Sequence, residues 1–359
     1  MYDFVVVGVG PPGARFARRA AEAGYDVLAL ERGEVGRPLA CSGHVSRDLW
    51  EYLPERARDD LLQNEIYGAR FRLGGRDATA YRFYKREPVS NVIDRVGLDK
   101  RLASLARDAG ADVREDHTVV DLDEGPDAVT LTVQTPSGPE TVEAKLVVGA
   151  DGPNSRVRRA LGMPEPREFL QGVLGFDPEP DDGDYVDVHP TVPTFFAWRI
   201  PRGDAGVEYG LAAPRDYDVH DAFDEFVADY GATIGDRHAG AIPIGPPETV
   251  TSDRALLVGD AAGQTKPFTG GGILYGMRAA DAAARTVDPD RPATLDDYER
   301  AWRDELGREI TLGHLIRKGY AAPRPIQRAG LALFAGEIGV HMDEPSSLFS
   351  REQLVALFR

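Results

Sequence analysis

The sequence is poor in cysteine, in lysine and in long apolar runs. Its 359 residues hold one cysteine, Cys41, so an internal disulfide and an all-cysteine metal site are both excluded. No HExxH pattern occurs and the seven histidines are scattered, so no metal site is expected. No apolar run approaches the roughly 20 residues that a membrane helix needs. The N-terminus enters a strand without a basic segment or a cleavage site. No signal peptide is expected, and the expected location is cytoplasmic. Lysine stands only at 85, 100, 145, 266 and 318. The 42 basic residues face 59 acidic ones, for a net charge of −17. That balance argues against nucleic acid, because phosphate binding needs a basic surface. A surface rich in Asp and poor in Lys fits either adaptation to high salt, where dense charge is screened, or an ordinary acidic protein.

Against these absences, the first 33 residues, MYDFVVVGVGPPGARFARRAAEAGYDVLALERG, carry a clear pattern. Asp3 to Gly8 reads as a buried parallel strand, Gly13 to Ala23 as a helix closed by Gly24, and Tyr25 to Leu30 as a second strand ending at Glu31. Between strand and helix lies Gly8-Val9-Gly10-Pro11-Pro12-Gly13. In a G-x-G-x-x-G turn the first glycine allows the bend, the second admits a pyrophosphate and the third lets the helix pack close. The helix N-terminus offers N–H groups and a positive dipole end to phosphate. Glu31 lies 23 residues after Gly8, placed for ribose hydroxyls, and an acid there favours NAD or FAD over NADP.

A second strand–loop–helix unit near residue 260 favours FAD, because a flavin and its ribityl chain extend past the pyrophosphate. In ALLVGDAAGQTKPFTGGGILYG, Asp260 can accept from a ribityl hydroxyl. Gly270 to Ile273 can aim N–H groups at the flavin edge that becomes negative on reduction. A flexible turn is the plainer reading of those glycines. Elsewhere, Val35 to Ser46 reads as a loop and Leu98 to Ala109 as a helix. Residues 112–148 read as a β-meander feeding a buried strand at 145–149, residues 168–250 as strand-rich, and Gly271 to Val287 as a helix. The expected organisation is a discontinuous dinucleotide-binding domain (1–64, 94–165, 250–290), a sheet-rich substrate domain (65–93, 166–249) and a helical C-terminal region (291–359).

Four ordered stretches resemble the FAD-binding fold of the p-hydroxybenzoate hydroxylase type: VVVGVGPPGA with Glu31, DRVGLDKRL at 94–102, GADGPNSRVRR at 149–159, and LLVGDAAG with PFTGGGI up to Ile273. The fold class implied is α/β, a Rossmann-like FAD domain with a second antiparallel-sheet domain. Three features further resemble the archaeal geranylgeranyl reductases: GRPLACSGHVS at 36–46, PFTGGGI, and FAWRIPRGDAGVEYGLA at 196–212. That family's pattern is Tyr-x-Trp-x-Phe-Pro, then seven or eight residues, then Gly-x-Gly. Here Phe196, Trp198, Ile200, Pro201 and Gly210 stand in register, and Phe196, Ile200 and Ala212 depart from it.

The resemblance implies an FAD-dependent reductase that saturates isolated double bonds of geranylgeranyl chains, those of archaeal membrane ether lipids. Hydride would come from reduced flavin N5 and a proton from the site. The FAD set it implies comprises Gly8, Gly10, Pro11, Gly13, Ala14, Glu31, Arg32, Cys41, Ser42, Arg95, Val119, Asp151, Gly152, Asp260, Pro267, Gly271, Gly272 and Ile273. The substrate-face candidates are Cys41, Trp198, Phe196 and His44. Protonation of an alkene builds positive charge on carbon, and an aromatic face such as Trp198 tolerates it. Cys41 also reads as a small buried hydrophobe, and Phe195 to Trp198 as plain sheet core. His44 is placed either to titrate near neutral pH or to bond within its loop. The apolar stretch 326–340 fits a lipid tunnel, a peripheral contact at the inner face of the membrane, or domain packing. The partner expected is an isoprenoid lipid. The electron donor stays open between a ferredoxin and NAD(P)H, since no second G-x-G-x-x-G occurs. Phe196-Ala197-Trp198-Arg199-Ile200-Pro201 also comes close to a halogenase pattern, Trp-x-Trp-x-Ile-Pro. A flavin monooxygenase or halogenase, a non-catalytic flavin-bearing lipid-binding or redox-sensing protein, and a plain NAD-binding module remain the alternatives.

Overall fold

The N-terminal valine run becomes the centre of a sheet because it is covered on both faces. In a computed structural model that describes residues 1–37, 41–337 and 341–349, Val5 and Val6 are fully buried in the strand Tyr2–Val7. Parts of three sequence expectations, at 38–40, 338–340 and 350–359, lie outside the described residues. Tyr2–Val7 pairs in parallel with Val27–Leu30 on one side and with the end of the long strand Gly138–Gly149 on the other. Asp112–Arg114 extends the sheet beyond Val27–Leu30, and Ala255–Leu257 pairs in parallel with Val147 to Gly149. The first half of Gly138–Gly149 does other work. It pairs antiparallel with Val129–Thr135, which pairs with Thr118–Glu124. One strand therefore carries both the meander and the parallel sheet. The helix Pro11–Glu22 packs against Arg95–Asp108 and Ile273–Thr286.

A second seven-stranded sheet has the order Arg237–Ile244, Glu168–Asp177, Val207–Pro214, Ala197–Pro201, Tyr185–His189, Gly68–Arg72, Ala80–Tyr84. It is antiparallel except where Tyr185–His189 meets Gly68–Arg72. Its own core gathers Leu170, Phe195, Leu211 and Phe223. A small sheet of His44–Ser46, Ser90–Ile93 and Leu62–Ile66 joins the two, so the end of the expected 35–46 loop is a strand.

One helix was not anticipated in the strand-rich stretch, Val219–Tyr230. Asp218 caps its start, accepting from the N–H groups of His220 and Asp221, and Gly231 closes it at a φ of 68°. Phe223, Phe226, Val227 and Tyr230 recur at helical spacing, which is the signal for it. Two other helices start earlier than the apolar pattern suggests. One begins at Pro11, since proline suits a first helical position, and the other at Arg95. Toward the C-terminus, Leu295–Arg317 buries Tyr298, Trp302, Leu306 and Ile310, and the Tyr298 hydroxyl donates to the Leu257 carbonyl at 2.7 Å. The next helix, Arg324–Phe334, buries none of its residues. Among the described residues no helix is long and apolar enough to cross a membrane.

Candidate active site

A cleft of about 560 Å³ runs from the first glycine turn to the face of the second sheet. At one end stand Gly8, Gly10, Pro11, Glu31 and Arg32. Gly8 sits at φ +96°, and a β-carbon there would lie 2.4 Å from the Ala150 carbonyl oxygen. Gly13 lies against Gly8 itself, where a β-carbon would come 2.0 Å from the Gly8 oxygen. Both glycines are thus required by packing, and neither Gly13 nor the buried Ala14 lines the cleft. Gly10 does, and a β-carbon on it would meet nothing within 4 Å. The helix it opens has no side-chain cap. Pro11 and Pro12 occupy the first helical positions and carry no N–H, so fewer donors face the cleft than the sequence pattern suggests. The dipole end remains.

Glu31 accepts from the Val9 N–H at 2.9 Å and the Arg32 N–H at 3.0 Å, and burial pushes its pKa up. Beside Gly8, Asp151 accepts with one oxygen from the Arg156 N–H at 2.6 Å at the start of the helix Arg156–Ala160, which Ser155 caps. Its other oxygen is buried without a partner. Arg158 explains the rest of GADGPNSRVRR: it is buried and donates to the carbonyls of Ala261 and Pro153, both at 2.8 Å. It thereby ties the Asp151–Gly152 turn to the Asp260 loop. Val119 lines the cleft, and its carbonyl accepts from Arg156 at 2.8 Å.

Asp260, Gly271, Gly272 and Ile273 line the middle of the cleft. Burial pushes Asp260 up to about 6, with the Arg95 charge pulling the other way. Arg95 pairs with Asp99 through Nη1, and its buried Nε makes no hydrogen bond. Burial works against its charge, yet the Asp99 carboxylate and the Cys41 sulfur hold it charged. Pro267 does not line the cleft. It packs on the long helix, where a β-carbon on Gly313 would lie 2.8 Å from its Cδ.

The sequence reading missed Lys266 and Asp343, which both line the cleft and form a buried ion pair at 2.8 Å. Lys266 had a signal, being one of five lysines and directly preceding PFTGGGI. Asp343 had none, at 77 residues' separation.

At the far end lie Cys41, Ser42, His44, Trp198 and residues 172–174 and 238–242. His44 meets the Ser90 hydroxyl at 2.7 Å. Burial, then the charges of Lys266 and Arg202, push it down to about 3. It therefore stays neutral near pH 7 and does not titrate there. Trp198 donates from Nε1 to Glu208 at 2.8 Å, and its ring lies flat over Gly210. Phe196 does not line the cleft. It stacks on Phe195 at 4.4 Å and meets Trp198 edge-on at 5.9 Å. Arg202 holds this end together, donating to the Ser42 carbonyl, Gln63, the Ile93 carbonyl and Glu208.

The family model described as FAD binding domain matches residues 1–195. A digeranylgeranylglycerophospholipid reductase of Methanothermobacter thermautotrophicus is 31% identical over 88% of this chain and 87% of its own length. One of Methanosarcina acetivorans is 29% identical over 88% and 84%. Among solved structures, a geranylgeranyl bacteriochlorophyll reductase-like protein of Thermoplasma acidophilum superposes with a TM-score of 0.84 at 23% identity, over 99% of this chain and 95% of that one. The p-nitrophenol 4-monooxygenase of Pseudomonas putida gives 0.74 at 18%, over 100% and 98%, which speaks to fold alone.

Proposed function

The chain belongs to the FAD binding domain family and to the digeranylgeranylglycerophospholipid reductases within it, and from that premise we propose that it reduces isolated double bonds of geranylgeranyl chains on a glycerophospholipid. It is an FAD-dependent oxidoreductase. The residues present fit FAD. Gly10 leaves open space beside an uncapped helix N-terminus, and Asp151, which lines the same cleft, has a buried oxygen without a partner.

We assign Gly8 to Pro11 to the pyrophosphate, Glu31 to the adenosine ribose, Asp260 to the ribityl chain, and Gly271 to Ile273 with Lys266 to the isoalloxazine edge. When bound and reduced, FAD supplies a hydride to one alkene carbon. The chain's own residues must orient that alkene, exclude water and tolerate the positive charge that builds on the hydride-accepting carbon as the other carbon is protonated. Trp198 suits the second and third tasks. Its N–H is taken up by the buried Glu208, and a hydrogen bond to a carboxylate leaves the ring richer in electrons for a cation. Cys41 and Trp198 remain our substrate-face candidates.

The observation that supports this reading most is the continuity of one cleft from the glycine turn to the sheet carrying Val173, Leu174, Trp198 and Ile242. A polar dinucleotide suits one end and an apolar chain the other. Lipid contact would be peripheral. The test is anaerobic: the dithionite-reduced holoprotein is incubated with a geranylgeranylated glycerophospholipid in detergent and the lipid followed by mass spectrometry. Stepwise gain of hydrogen pairs is expected. An unchanged lipid beside fully reduced flavin overturns the reading and brings oxygen-dependent chemistry forward.

A further inference from the structure

A chain with 59 acidic residues contains none between Glu309 and Glu337. The same stretch carries Arg317, Lys318, Arg324 and Arg328. Arg317 is used internally, in an ion pair with Glu168 at 2.6 Å. Lys318, Arg324 and Arg328 are exposed. Against a net charge of −17, this is a local cationic surface on a molecule that otherwise repels anions.

The helix Arg324–Phe334 lies within this stretch and buries nothing. At about 100° per residue, Ile326, Ala329 and Leu333 fall within roughly 60° of one another, while Arg324 and Arg328, about 40° apart, stand on the far side of the helix, roughly 100° or more from each of them. The apolar members face water: Ile326 is 62% and Leu333 71% exposed, with Phe334 at the helix end at 41%. Leu315, earlier in the same stretch, is 60% exposed. An outward apolar strip on a helix whose other side carries arginines is the arrangement of a helix that lies in a bilayer interface, with its apolar side chains in the acyl boundary and its guanidinium groups reaching up to the headgroups.

The helix is fixed to the body of the protein rather than dangling from it. Gly336, just beyond it, accepts from the Tyr84 N–H at 3.0 Å and donates to the Arg82 carbonyl at 2.8 Å. This pins the helix end to the edge strand Ala80–Tyr84, where Tyr84 is itself exposed. Nine residues past Phe334 the chain reaches Asp343 in the cleft wall. The exposed strip and the cleft are therefore joined by a short piece of chain.

We propose that the exposed face of Arg324–Phe334 docks this protein on an anionic lipid surface, with Ile326 and Leu333 inserted and Arg324, Arg328 and Lys318 on the headgroups. Charge complementarity selects this occupant over a second copy: Lys318, Arg324 and Arg328, with no acid between residues 310 and 336, attract anionic headgroups and repel their own counterparts. The purpose of the docking rests on the lipid-reductase reading above, but its test does not.

The holoprotein is floated with vesicles of phosphatidylcholine alone or mixed with phosphatidylglycerol, neither of which contains an isoprenoid chain. The wild type binds the mixed vesicles and hardly binds neutral ones. Ile326→Asp/Leu333→Asp and Arg324→Glu/Arg328→Glu each weaken binding by about tenfold or more. All of them keep the flavin spectrum and the turnover of detergent-dispersed lipid. Failure of the wild type to float, or equal flotation of the variants, overturns the proposal. So does a wild type that is dimeric by light scattering and that Ile326→Asp/Leu333→Asp makes monomeric, which would assign the face to a second copy. Flotation without lipid reduction would leave the docking standing and sink the reductase reading.

Discussion

Lys266 Nζ lies 2.8 Å from Asp343 Oδ1, with both side chains withdrawn from solvent, and this pair fastens the last described segment of the chain to the wall of the cleft. The Tyr275 hydroxyl reinforces it by donating to the Asp343 carbonyl at 2.9 Å. Lys266 also reaches over the glycines, where a β-carbon on Gly271 would meet its Cε at 2.9 Å. Removing one member of a buried pair strands the other, at about 3–5 kcal/mol, while replacing both by apolar groups is often near neutral. Lys266→Met and Asp343→Asn should each lower the melting temperature, and Lys266→Met/Asp343→Leu should recover most of the loss. The flavin separates structure from chemistry. Loss of a cation beside the edge that becomes negative should make the midpoint potential of Lys266→Met more negative, by about 30 mV for each ~1.4 kcal/mol of lost stabilisation. An unchanged potential would confine the lysine to the latch.

Asp260 makes stability depend on the cofactor and on pH. Its pKa in the folded protein, about 6, lies above the ordinary 3.8, because burial disfavours the charge. A carboxyl of this kind stabilises the fold fully below pH 3.8, and that contribution is lost as the pH rises through about 6. At pH 8 the cofactor-free protein therefore carries a buried charge at a cost of about 2–3 kcal/mol. Asp260→Asn should melt higher than wild type at pH 8 without FAD, with the difference vanishing near pH 4. With FAD the order should reverse, because a ribityl hydroxyl donating to the carboxylate is lost. Scanning calorimetry of both forms with and without FAD, and an FAD titration, would check this. A variant that binds FAD as tightly as wild type would remove Asp260 from the ribityl contact.

These two residues also mark what could be read from sequence. Asp260 was legible because a buried strand, an acid and a glycine-rich helix start follow one another within a short stretch. The same locality made Glu31 and the first glycine turn readable. Asp343 was not legible, since nothing near it repeats or alternates, and only the folded chain brings it to Lys266. Pro267 and Phe196 show the converse limit. Each stands in a recognisable motif, yet Pro267 packs on Gly313 and Phe196 on Phe195. A motif fixes the path of the backbone, whereas packing decides which of its side chains face the cleft. The helix Val219–Tyr230 was readable in its apolar spacing but hidden inside a stretch dominated by strands.

Gly210 sets where Trp198 lies. A β-carbon there would come 2.3 Å from the Trp198 Cζ2, so the ring can lie flat only over a glycine. Gly210→Ala should lift the indole off the strand and strain its 2.8 Å bond to Glu208, costing about 1–3 kcal/mol. FAD affinity should hold, because the glycine turn and Asp260 are untouched, while lipid turnover falls at least tenfold. Tryptophan fluorescence would report the displaced ring. Trp198→Phe keeps an aromatic face but leaves a Glu208 oxygen without its donor, and should retain more turnover than Trp198→Leu. Equal turnover in the two would remove the ring's π face from the mechanism.

Arg202 governs the loop that presents Cys41. Its guanidinium donates at 2.5 Å to the Ser42 carbonyl, at 2.6 Å to Gln63, at 3.1 Å to the Ile93 carbonyl and at 3.0 Å to Glu208. A planar fork can serve acceptors in these directions, whereas an ammonium on a flexible stem cannot serve all of them at once. Arg202→Lys should therefore keep the charge facing Glu208 and release Ser42. Cys41 is the chain's sole thiol and partly exposed, so its alkylation rate reads the loop directly. That rate should rise about tenfold or more in Arg202→Lys, as local opening becomes easier by ~1.4 kcal/mol. FAD should slow the reaction in wild type and less so in the variant. Arg202→Met should be far less stable, since Glu208 is fully buried and would lose its counter-charge, and Arg202→Met/Glu208→Gln should regain part of that stability. A Cys41 rate unchanged in Arg202→Lys would mean that the strand His44–Ser46 holds the loop without the arginine.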